Sequence, residues 1–300
     1  MIMSRTITYS GNLSDERRFL ILEKQFNFED YLKGDEVSLL FRDVSFITPF
    51  CLLGLLSDCR RIFERTGVKV KLLGLSTACY QYLERMKFFE VGKDWLVAEG
   101  DYSRLQAWEE NPKSINLIEI SRIDQQKEKG AEDVVRLAGL LRQRAKAILS
   151  FWLGKDPKEV DKFVTVLSEL AQNIFEWSQD FGYVALNKYL YSDKVTLNLA
   201  IIDGGVGLHS TVKPKLDRKR VQLNRPADYI CYPFTQGMAR SKGGGLLKVF
   251  SYVKDWNGSL FIRSGTSYAF KRINLITFET RENVPAFSGT HIGIWFVKKK

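Results

Sequence analysis

Histidine is nearly absent from this chain: His209 and His291 are the only two in 300 residues. Zinc sites built on imidazole and histidine-based catalysis are therefore poor candidates. Cysteine is scarce too. Cys51, Cys59, Cys79 and Cys231 show neither metal-ligand spacing nor a disulfide framework, and read as buried thiols of a reducing compartment. No apolar run approaches the length of a membrane span, and Met1-Ile2-Met3-Ser4-Arg5 does not open a secretory leader. The expectation is a cytoplasmic protein with no membrane partner. Internal repeats and low-complexity tracts are missing as well.

What is present is the composition of a globular protein, 45% apolar and 27% charged, long enough for two domains with a core each. The net charge of +10 is unevenly placed. Through Pro112 there are 15 basic and 17 acidic side chains; the remainder carries 30 and 18. A basic half points to nucleic acid, an acidic partner or a phosphorylated ligand. Nucleic acid ranks last among these, since no reading module and no aromatic-basic interleaving accompanies the charge.

In the first third, Ile7–Tyr9 reads as a short strand and Glu16–Leu22 as the start of a helix. Glu36–Phe41 and Val68–Leu73 read as buried strands, and Cys51–Arg65 and Ala78–Met86 as helices. Strand, helix, strand, helix with short joints argues a small α/β layer domain. The element order and Val44-Ser45-Phe46-Ile47-Thr48-Pro49 before a helix resemble a STAS domain, the fold of anti-sigma factor antagonists. Those antagonists carry Asp-Ser where this chain has Thr48-Pro49, so the resemblance implies no serine phosphoacceptor here. Thr48 has two readings, a phosphate acceptor or the N-cap of the helix that Pro49 starts, and the cap is favoured. Residues 91–113 read as an irregular connection. The charged stretch from Asp124 to Gly130 is one candidate joint, but the boundary is placed before the strand-like Ile115–Ile123, giving domains 1–113 and 114–300.

In the second part, apolar positions predict an amphipathic helix over Glu132–Leu153 and, after Gly154-Lys155-Asp156-Pro157, another that carries Ser168 to Ser178. Leu167, Leu170, Ile174 and Trp177 make its apolar stripe, and Glu169 and Asn173 lie four apart on one face. Such a pair is ordinarily solvated surface, but a carboxylate and an amide oxygen so stacked can hold a hard cation and position a water. Gly182–Tyr191 and Val195–Ile202 read as an antiparallel pair, followed by Asp203-Gly204-Gly205-Val206-Gly207. Leu208–Lys242 is basic, contains Pro214, Pro226 and Pro233, and lacks strong periodicity. Gly243-Gly244-Gly245-Leu246 then enters a helix, Gly258–Arg263 and Ala269–Phe278 read as strands, and Ser288-Gly289-Thr290 leads into the strand Ile292–Val297.

Four of these features, in order over about 120 residues, resemble the GHKL ATP-binding superfamily of histidine kinases, anti-sigma kinases, type II topoisomerases and mismatch-repair ATPases. Glu169-x-x-x-Asn173 matches its N box, Asp203-x-Gly205-x-Gly207 the first glycine box, Gly243-x-Gly245-Leu246 the second, and Gly289-Thr290 the pair before the last strand. The resemblance implies a two-layer α+β sandwich that binds ATP and Mg2+. By it, Asp203 takes the adenine amine and Thr290 reaches the base through water. Gly205 and Gly207 let the backbone approach the base, Gly243 and Gly245 face the phosphates, Asn173 holds the magnesium, and Glu169 is the general base. Leu208–Lys242 becomes the ATP lid, with Lys213, Lys215, Arg218, Lys219, Arg220 and Arg225 as candidates to meet the γ-phosphate.

This sequence departs from the family in lacking a phosphoacceptor-histidine helix, so histidine autokinase activity is not expected. Ile174 is bulky after the N-box Asn, and Leu246-Leu247 shortens the second glycine box. The function expected is an ATP-gated regulator, its partner a STAS-type or sigma/anti-sigma-like protein, with a homodimer left open. Slow ATP hydrolysis, serine/threonine kinase action on the partner, and a purely non-catalytic nucleotide-gated interaction module all remain open from the sequence.

Overall fold

The structure, a computed structural model, describes residues 3–14, 16–26, 28–103, 105, 116–124, 139, 143, 148–149, 156–236 and 245–300. It is a mixed α/β protein with one parallel and one antiparallel sheet, dividing into two compact units, Met1–Pro112 and Lys113–Lys300. Among the described residues, no helix is long and apolar enough to cross a membrane.

The first unit runs β1 (Ser4–Ser10), α1 (Glu16–Glu23), β2 (Glu36–Arg42), α2 (Pro49–Thr66), β3 (Val70–Leu73), α3 (Thr77–Arg85), α4 (Phe88–Val91) and β4 (Leu96–Glu99). The strands lie in the order 1-2-3-4 and every pair is parallel, so each joint is a crossover. The register sets Ile7 and Tyr9 beside Leu39 and Phe41, and Leu39 beside Leu72, a stripe of buried side chains on one face. Helix α2 adds a run of buried apolar side chains: Phe50, Cys51, Leu52, Leu53, Leu55 and Leu56 are all buried. Its ends are fixed chemically. Thr48 caps the start, accepting from Cys51 N–H, with Pro49 in the first turn; Gly67 in the left-handed region closes the end by donating to Phe63 O at 2.8 Å. The Thr48 hydroxyl, buried and bonded also to Leu13 O at 3.4 Å, serves the cap. The connection expected over residues 91–113 contains β4, whose four residues gain strand geometry by pairing with β3.

In the second unit β5 (Leu117–Ile123) is followed by α5 (Pro157–Asn173), which Asp156 caps by accepting from Lys158 N–H at 2.9 Å. The helix does not continue as α-helix to Ser178: Ile174–Ser178 widen into one π-turn, ended by Gln179 in the left-handed region. Then come β6 (Gly182–Leu190), β7 (Lys194–Asp203), α6 (Gly207–Arg218), α7 (Pro226–Thr235), α8 (Gly245–Asp255), β8 (Ser259–Gly265), β9 (Ser267–Lys271), β10 (Glu279–Arg281) and β11 (Phe287–Lys299). The seven strands pair antiparallel in the order 10-9-8-11-7-6-5, so the latest strand along the chain fills the middle. Ile201, Ile262 and Ile294 from its central strands share one core with Phe163, Leu167 and Leu170 of α5 and Val249 and Val253 of α8.

Two expectations need correction here. The basic stretch after Gly207 is helical in α6 and α7, because Val212, Leu216 and Tyr229 form a small core of their own. Pro226 starts α7, while Pro214 sits inside α6. The strand expected over Ala269–Phe278 is shorter: β9 stops at Lys271 and β10 begins at Glu279. The helix expected over Glu132–Leu153 lies largely outside the described residues; of it, Ile148 and Leu149 are helical and buried.

Candidate functional site

A cavity of about 680 Å³ opens in the second unit between α5, α6, the end of β7 and the start of α8. Glu169, Asn173, Asp203, Gly207, Gly245 and Thr290 all line it. Gly205 does not, and Gly243 lies outside the described residues.

Asp203 ends β7 where the register of β6, β7 and β11 holds it in the sheet, and it is 7% exposed. Its Oδ1 accepts from Gly205 N–H at 2.9 Å, and the Thr290 backbone N–H and hydroxyl donate to the same carboxyl. Burial pushes the carboxyl up to about 7, winning over these hydrogen bonds, which pull the other way; Asp180 adds a smaller upward push. The result is a desolvated group that can present an acceptor, or when protonated a donor, to a polar ligand edge.

In the loop Asp203–Gly207, one glycine is required by packing of the loop itself. A Cβ on Gly205 would stand 1.8 Å from Ser178 O, while Val206 N–H donates to that oxygen at 3.0 Å. The loop is thereby laid against the end of the π-turn. Gly207 has φ +74°, and a Cβ there would meet Ser264 Oγ at 2.5 Å. Sequence reasoning missed Ser264. Its buried hydroxyl accepts from Leu208 N–H and donates to Gly289 O, both at 2.9 Å, tying the glycine loop to β8 and β11. A single serine before Gly265 carries no motif that would have singled it out.

On α5, Asn173 Nδ2 donates to Glu169 O at 2.6 Å. That use of the amide nitrogen leaves the amide oxygen as the ligating atom. The Glu169 carboxylate reaches α8: Lys248 Nζ is 3.9 Å from Oε1, and a Cβ on Gly245 would stand 1.9 Å from Oε2. Among the described residues, no group of three or more His, Cys, Asp or Glu is placed to hold a metal ion.

The wall also carries positive charge. Lys215, Arg218 and Lys219, from α6 and its C-terminal end, line the cavity; Lys213, Arg220 and Arg225 do not, and Arg225 pairs with Asp228 at 2.7 Å. Lys215 Nζ lies 3.3 Å above the Trp177 ring, and Trp177 and Glu176 line the cavity too. Neither histidine is on the wall: His209 packs edge-on against Tyr229, and His291 is buried in β11. A buried carboxyl and several cations on one wall suit a ligand that carries both a polar edge and an anionic group. No protein-family model matches the chain, and no curated protein matches it.

Proposed function

We propose that the cavity binds ATP with Mg2+, in the manner of the GHKL superfamily, and that the second unit is that family's two-layer sandwich joined to a STAS-like first unit. The observation that carries the reading is convergence. Glu169, Asn173, Asp203, Gly207, Gly245 and Thr290, spread over about 120 residues, line one cavity. Asp203 is the acceptor for the adenine amine, oriented by Thr290 and Gly205. Mg2+ takes most of its ligands from phosphate and water, so one protein oxygen suffices, and the Asn173 amide oxygen fits that need. The metal supplies charge neutralisation of the phosphates. Bound ATP biases the α6–α7 segment, and through it contact with an acidic or STAS-type protein partner.

Two readings of turnover divide on Glu169. As a base it would orient a water for ATP hydrolysis, or a partner hydroxyl for phosphoryl transfer. Its carboxylate near Lys248 and against Gly245 favours the other reading, a nucleotide-gated interaction module without turnover.

Calorimetry with Mg-ATP, wild type beside Asp203→Asn, tests the site, with phosphate release followed on the same samples and on Glu169→Ala. Binding lost in Asp203→Asn supports it; a folded wild type that binds no Mg-ATP overturns it. Phosphate release lost in Glu169→Ala while binding persists selects the enzyme, and none from wild type selects the gated module.

A further inference from the structure

We propose that the outer edge of β10 is a self-pairing surface: two copies of this chain join there edge to edge, antiparallel about Thr280, with Glu279 of each copy opposite Arg281 of the other. The inference stands apart from the nucleotide reading and does not depend on it.

Strand β10 (Glu279–Arg281) ends the second unit's sheet among the described residues, with β9 on its one paired side. The direction of its backbone groups follows from the neighbouring hairpin. Ser264 and Ser267 face each other across the two-residue turn Gly265-Thr266, with Gly265 at φ +59°, so they are a hydrogen-bonded pair. Bonded and non-bonded pairs alternate along the ladder from there. Ser267, Ala269 and Lys271 therefore direct their backbone groups to β8, and Tyr268 and Phe270 direct theirs to β10. Glu279 and Arg281, opposite Phe270 and Tyr268, bond inward, and Thr280 between them turns its N–H and C=O to the outer edge.

Sheet edges are commonly guarded by short length and by charge of one sign, which repels a second copy. This edge is short, but its charges are opposite: Glu279 and Arg281 flank Thr280, and both are exposed. Turning the strand about a two-fold axis through Thr280 makes that residue a hydrogen-bonded pair with its own copy. Glu279 and Arg281 then fall in the adjoining non-bonded pairs, where side chains stand closest and opposite charges attract. The axis makes the contact twice. Glu279 also meets Arg272 of its own copy at 3.1 Å, and one carboxylate can accept from two guanidinium groups.

Three paired residues cover too little area for a stable dimer by themselves. The turn before the strand adds apolar surface, since Ile276 is 75% and Leu275 40% exposed. In the antiparallel pair this turn lies at the end where the second copy's chain leaves Arg281. The turn is held in place. Asn257 Nδ2 donates to Asn274 Oδ1 at 2.8 Å, and Asn274 N–H donates back to Asn257 Oδ1 at 2.9 Å. Phe278 stacks on Phe250 with ring centres 4.8 Å apart, and Val284 N–H donates to Thr266 O at 3.0 Å beyond the strand's other end. The edge is thus displayed in a fixed form, and pairing requires little further ordering of the chain.

The test is sedimentation equilibrium of the full chain as wild type, Arg281→Glu, Glu279→Arg and an equimolar mixture of the two variants, with thermal midpoints recorded for each. Wild type should form a dimer and nothing larger, because a two-fold contact closes on itself. Either variant alone sets like charges opposite each other twice per dimer and should dimerise about tenfold more weakly or worse. The mixture should recover wild-type affinity to within about threefold, since each variant then faces its complement. Wild type that stays monomeric to about 100 µM overturns the proposal, as does association that grows past a dimer. A dimer that Arg281→Glu leaves unweakened overturns it too, as does a mixture that fails to pair while both variants keep the wild-type thermal midpoint.

Discussion

Thr290 gives both its backbone N–H and its hydroxyl to the buried carboxyl of Asp203, so two residues 87 positions apart in sequence share one polar node at the floor of the cavity. The pairing follows from the sheet: His291 stands opposite Ile202, which brings Thr290 to the end of β7. With Gly205 N–H as a further donor, the carboxyl is oriented before any ligand arrives.

Because burial raises the Asp203 carboxyl to about 7 from an ordinary 3.8, the folded state holds a proton there that the unfolded chain releases near pH 4. Stability contributed by this group is full below pH 4, falls as pH rises toward 7 and is level above that. Asp203→Asn removes the dependence. Thermal midpoints from pH 4.5 to 8 should therefore show the variant gaining on wild type as pH rises. A constant difference across that range refutes the shift.

Ser264→Ala strips a buried hydroxyl that serves one donor and one acceptor, leaving Leu208 N–H and Gly289 O without it. The expected cost is about 1–3 kcal/mol in urea unfolding, and the loosened glycine loop should weaken ligand binding too. An unchanged urea midpoint would remove Ser264 from the site's architecture.

In the first unit, Thr48→Ala deletes the α2 cap and should cost about 1 kcal/mol, with Thr48→Ser recovering most of it. The buried hydroxyl predicts that the native chain is not labelled at Thr48 by a serine/threonine kinase. Phosphopeptide mapping that found stoichiometric phosphate on Thr48 would contradict that use of the hydroxyl.

Much of the fold was legible because local signals agreed with tertiary ones. Asp156-Pro157 starts α5, Thr48-Pro49 starts α2, and the apolar run before Asp203 is a central strand with both faces covered. The features missed depend on contacts distant in sequence. Nothing local stops α5 at Asn173, since the apolar spacing runs on through Trp177; the π-turn coincides with the Gly205 and Val206 backbone resting on Ser178. Strand β4 exists through β3, and the prolines of the 208–242 stretch hid two helices whose core needs Val212 and Tyr229 together. Of the site, the motif residues were readable, whereas Ser264 and the Lys215–Trp177 contact arise only when separate elements meet.

The central position of β11 bears on synthesis. Until Phe287–Lys299 emerges, β7 and β8 have no common neighbour, and both present open edges to whatever is near. On a ribosome the second unit must wait for its final strand before its sheet closes, with Ile201, Leu260 and Ile262 lacking β11 as a packing partner in the meantime. A nascent chain stalled before Phe287 should consequently recruit holdase chaperones, and its release should coincide with the moment the Asp203 carboxyl first meets Thr290.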